Sequence, residues 1–149
     1  MKNMFYNGRT HDHYVGSVLA FTPNGIISAR TINALGAMHD SPLLDWGGLY
    51  DELAAIYARD TGQCVVDSAF ARATFPFLIK YQQGANEITI GIQATAVRQA
   101  SEWGMRGFQG SFPRIKDRLV YELRCERKII IFLIILLYNF RSCASFVVR

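Results

Sequence analysis

Residues 64–68 read Cys64-Val65-Val66-Asp67-Ser68, and residues 97–116 read VRQASEWGMRGFQGSFPRIK. The first is a short apolar run ending on an acid, the pattern of a covered strand where it leaves the sheet. The second has helical periodicity. At about 100° per residue, Arg98, Glu102, Arg106 and Gln109 fall within about 80° of one another, while Val97, Ala100, Gly104 and Phe108 gather opposite. A strand followed by an amphipathic helix, each carrying a carboxylate, sets the chain in the α/β class.

Upstream, residues 13–21 (HYVGSVLAF) and 26–33 (IISARTIN) alternate as strands around Thr22-Pro23-Asn24-Gly25, which has the composition of a tight turn. Residues 36–42 read as a loop. In residues 48–59 the apolar Leu49, Leu53, Ile56 and Tyr57 recur at helical spacing, and Gly62 marks a stop. Residues 75–80 read as a further strand and 82–87 as a polar loop. The expected helix over residues 92–109 contains Gly104 and Gly107, each costing about 1 kcal/mol of helix propensity, tolerable where another element packs closely.

Residues 126–140 (ERKIIIFLIILLYNF) form a last helix with ten consecutive apolar residues, 129–138. That run covers about 15 Å, half of the roughly 30 Å of a bilayer core, so it is read as a helix buried under a sheet and not as a membrane span.

The 149 residues suffice for one domain, and 50% are apolar. Cys64, Cys125 and Cys143 are odd in number and scattered, so neither a disulfide framework nor a zinc site is suggested. With no apolar leader in MKNMFYNGRTHDH, the expectation is an intracellular protein. Charge is uneven. Up to Val97 there are six Lys/Arg against eight Asp/Glu, and from Arg98 onward ten against four. A basic C-terminal third suits an anionic partner, although an ordinary solvated face fits as well. Arg114, Lys116 and Arg118 are the candidate phosphate contacts, which would be sequence-independent and salt-sensitive.

Asp67 at a strand end and Glu102 on a distant helix are the candidate metal-binding pair. Carboxylate oxygens suit Mg²⁺ or Mn²⁺, and strand C-termini are where α/β sheets build sites. The bland alternative for Glu102 is ion pairing with Arg98 and Arg106, at about 0.2–0.5 kcal/mol per pair. His11, Asp12 and His13 also invite a metal reading, since His11 and His13 share one strand face. A strand-entrance role is preferred, because no third ligand stands nearby.

Two antiparallel strands, a helix, a strand ending in Asp67 and a helix bearing Glu102 follow the order of a ribonuclease-H-like domain after its first strand. The motifs FYNGRTHDHYV, INALGAMHDSPL, VVDSAF, RQASEWGMRGFQGSFPRIKDRLVYE, ERKIII and LLYNF together resemble the DDE-superfamily endonuclease domain of Harbinger/PIF-type transposons, over residues 5–141. The resemblance implies a ribonuclease-H-like mixed sheet with flanking helices, lacking its first, central strand. It also implies a divalent-metal-dependent nuclease or strand transferase acting on DNA in the nucleus. Asp67 and Glu102 would be the second and third catalytic acids, with Arg98, His39 and Asp40 supporting them. A separate DNA-binding protein is an expected partner; a membrane is not.

The chain departs from that family. The first acid, expected on a strand before FYNG, is not among these residues. Leu35 stands where relatives usually have proline, and Gln109 where related families often have lysine. Residues 142–149 leave the pattern, so the expected domain is 1–141 with a divergent tail. A chain without its first acid is expected to be catalytically incomplete, and open sheet edges invite aggregation. The alternative is a non-catalytic remnant that binds DNA or a protein.

Overall fold

The structure, a computed structural model of the chain, describes residues 5–7, 11–66, 75–80, 88–116 and 124–147. Two short strands, β1 (Tyr6–Asn7) and β2 (Asp12–His13), pair antiparallel with Tyr6 opposite His13. They lead into a longer hairpin, β3 (Val15–Phe21) and β4 (Ile27–Leu35), at the positions expected from the alternation. Its turn is closed by the Thr22 amide on the Ile26 carbonyl (2.8 Å) and by the Ile26 amide on the Thr22 hydroxyl (3.1 Å). Gly25 supplies the left-handed backbone (φ +80°) the reversal needs. Register pairs Val15 with Leu35, Val18 with Thr31 and Phe21 with Ile27, with irregularities after Gly16 and after Ala20.

The period-2 alternation of β3 sorts its side chains onto two faces. Val18 and Ala20 pack with Ala29, Leu44, Leu49 and Leu53. Leu19 and Phe21 pack with Ile27, Phe108, Ile135 and Tyr138. The first face is covered by α1 (Asp40–Trp46) and α2 (Leu49–Asp60), the second by α3 (Ile88–Ser111) and α4 (Arg124–Val147). Between these pairs, β5 (Cys64–Val66) runs parallel to β6 (Leu78–Lys80), with Cys64 opposite Leu78. The chain is therefore a mixed α/β protein. Among the described residues its strands form three two-stranded sheets.

Two elements depart from the sequence expectation. The loop over 36–42 ends early, because α1 begins at Asp40. Pro42 sits in its first turn, where a missing amide costs nothing, and Leu43 and Leu44 anchor it at 2% exposure. The apolar final helix is not wholly buried either. Its inner residues Ile135 and Tyr138 are covered, but the opposite face is open, since the hairpin can cover only one side. Among the described residues no helix is long and apolar enough to cross a membrane.

The glycines of α3 have different roles. A Cβ on Gly104 would lie 2.6 Å from the Phe21 ring, so β3 approaches the helix there as closely as only glycine permits. At Gly107 the nearest atom would be 3.5 Å away, an ordinary contact. Tyr138 ties α4 to α3 by donating its hydroxyl to the Gly104 carbonyl (3.3 Å).

Candidate active-site cleft

The C-terminal end of β5 and the polar stripe of α3 meet across a cleft of about 850 Å³. Its walls are residues 18–22 on the β3 side, residues 64–66 of β5, and Val97, Arg98, Ser101, Glu102 and Met105 of α3. Leu44, Leu49 and Leu53 form an apolar floor. Neither β3 nor β5 has a described strand on its other edge, and both line this space.

Glu102 reaches the cleft because the helical stripe predicted from the sequence is real. Arg98, Glu102 and Arg106 are exposed, while Gly104 and Phe108 are buried. Its carboxylate accepts a hydrogen bond from Arg98 Nε at 3.2 Å, an i,i+4 ion pair with both side chains about half exposed. On the β5 wall of the same cleft, burial raises the Cys64 thiol above its ordinary pKa, which keeps that sulfur protonated and poorly nucleophilic.

Asp67 lies outside the described residues; Val66, which precedes it in the sequence, lines the cleft. His39 is exposed at the N-cap of α1, makes no side-chain cap bond, and does not line the cleft. Asp40 is the first residue of α1, and its side chain lies outside the described set. Arg114 is exposed on the 3₁₀ turn Pro113–Lys116. The Lys116 side chain and Arg118 are also outside that set. His11 shares a hydrogen bond with the Tyr6 hydroxyl through Nδ1 (3.2 Å), and His13 meets the Tyr6 ring edge-on. These contacts tie the two histidines to β1.

For a divalent cation, Glu102 is the right kind of donor, but one carboxylate does not hold such an ion. No group of three His, Cys, Asp or Glu residues among the described residues is arranged around a metal position. Among the described residues that line the cleft, Glu102 is the one carboxylate.

Sequence reasoning missed two polar pairs, one buried and one partly buried. Asn33 adopts a left-handed backbone (φ +63°), donates to the Arg124 carbonyl (3.0 Å) and accepts from Arg127 Nε (2.6 Å). Burial, and then the positive charge of Arg124, lower the Arg127 pKa. Asn139 pairs with the backbone of Ile27. Asn33 in INALGAMHDSPL, Arg127 in ERKIII and Asn139 in LLYNF all fall within the quoted motifs, which was the signal available.

A family model described as DDE superfamily endonuclease matches residues 1–139. No curated protein and no solved structure matches the chain.

Proposed function

The chain belongs to the DDE superfamily endonuclease family, and on that premise we propose that it is the catalytic part of a Harbinger-type, transposon-derived nuclease acting on DNA in the nucleus. The observation that supports the site is the shared cleft: Val66, the residue before Asp67 in the sequence, and Glu102 both line it. Asp67 and Glu102 would hold Mg²⁺ or Mn²⁺, which would supply charge stabilisation to the displaced phosphodiester oxygens. Arg98 keeps the Glu102 carboxylate oriented. Arg114, Lys116 and Arg118 meet DNA phosphates, and sequence choice comes from a separate DNA-binding partner. Asp40 and His39 support the site through α1.

The first acid belongs on a strand lying between β3 and β5, whose edges both open onto the cleft. Such a strand completes a ribonuclease-H-like sheet. Two acids hold an ion weakly, so Asp67 and Glu102 by themselves would support little or no strand cleavage.

The deciding experiment is calorimetric titration of the chain with Mn²⁺, beside Asp67→Asn and Glu102→Gln. The reading requires measurable binding that either substitution abolishes. Binding indifferent to both would overturn it. A second reading, a remnant that binds DNA without cutting it, draws support from the Arg98–Glu102 ion pair, which occupies the carboxylate. It requires salt-sensitive DNA binding that ignores Mg²⁺ and survives Glu102→Gln.

A further inference from the structure

The outer face of α4 presents Ile129, Ile130, Leu133, Leu136, Leu137 and Phe140 to solvent, between 46% and 76% exposed. At 100° per residue these six lie within an arc of about 120°, and Ile129, Leu133, Leu136 and Phe140 recur at the alternating four- and three-residue steps of a helix-pairing seam. The stripe leaves on the order of 700 Å² of apolar surface in water. That exceeds the roughly 300–600 Å² largest patch of a typical monomer and approaches the roughly 800 Å² each partner contributes to a standard interface.

We propose that two copies of this chain pair antiparallel along the outer face of α4. The helix dipoles select the orientation. No charged residue lies between Lys128 and Arg141. The exposed charges at the two ends, Arg124, Glu126 and Lys128 at one and Arg141 at the other, each sum to +1, so side-chain charge is alike in either arrangement. Parallel pairing would align the two helix dipoles, and antiparallel pairing opposes them.

The exposed thiols report the arrangement. Cys125 and Cys143 are both exposed, and their separation of about five helical turns places them on one flank of α4. In antiparallel copies, Cys125 of one lies alongside Cys143 of the other at each end. In parallel copies, like meets like.

Sedimentation equilibrium of the full chain at about 100 µM should give a dimer of 16.8 kDa chains. Leu133→Lys with Leu137→Lys should weaken it by at least about 30-fold while the circular dichroism spectrum is kept. Phe140→Lys, at the most exposed position of the stripe, repeats the test should the double variant lose its spectrum. A short bis-maleimide should join Cys125 to Cys143, and Cys125→Ser alone should abolish the product. A monomeric wild type, a dimer indifferent to the lysines, or cross-linking that survives Cys125→Ser would overturn the proposal. So would a monomer that floats with phosphatidylcholine vesicles, which would assign the face to lipid. None of these results bears on Mn²⁺ binding in the cleft, so the two readings fail separately.

Discussion

Asn139 of α4 holds the backbone of Ile27 through both atoms of its amide. The Ile27 amide donates to Asn139 Oδ1 at 2.9 Å, and Asn139 Nδ2 donates to the Ile27 carbonyl at 2.8 Å. The side chain thus stands in for a neighbouring strand on the outer edge of β4. Asn139→Leu should leave two backbone groups without partners, each costing about 1–3 kcal/mol. Urea denaturation is expected to show a loss of at least about 2 kcal/mol, and a loss under about 0.5 kcal/mol would refute the edge role.

Gly104 and Gly107 make a matched test of close approach. Gly104→Ala drives a methyl to 2.6 Å from the Phe21 ring and should destabilise by about 1–3 kcal/mol in spite of its better helix propensity. Gly107→Ala meets only Tyr138, at 3.5 Å, so propensity should win and raise stability by up to about 1 kcal/mol. Thermal melts of the two variants should move in opposite directions.

Arg98→Ala removes a half-exposed ion pair. Its effect on folding should stay within about 0.5 kcal/mol. Removing the group that orients Glu102 should at the same time weaken Mn²⁺ binding. A variant that binds the ion more tightly would instead make Arg98 a competitor for the carboxylate.

Cys64 should make the fold sensitive to alkali. Burial raises its folded pKa, so its contribution is fully present below the ordinary thiol value. Above that value the unfolded chain has released a proton that the folded state retains, and stability falls as pH rises through the folded pKa. Cys64→Ala should flatten stability across that alkaline window. At pH 8, a chromogenic disulfide reagent should label the exposed Cys125 and Cys143 well before Cys64.

What could be read from the chain was local and periodic. The alternation in residues 13–21 and 26–33, the turn at Gly25 and the polar stripe of α3 all appear in the structure. The short helix α1 was not legible, because its seven residues carry too few turns to show a period and include Pro42. The pairs Asn33–Arg127 and Ile27–Asn139 join residues 94 and 112 positions apart, a distance no local pattern encodes. Ten apolar residues in a row announced a buried helix, but how many sides would be covered depends on the width of the sheet beneath. The position of Glu102 on the exposed stripe of α3 was legible; the place of Asp67 lies outside the described residues.

The hairpin's two margins are unequal: Asn139 clasps the outer side of β4 at Ile27, while β3 borders open space. At the Ile27 end, lateral growth of the ribbon is therefore left to β3. An extended segment arriving beside Val18 and Leu19 enters the cleft that Glu102 lines.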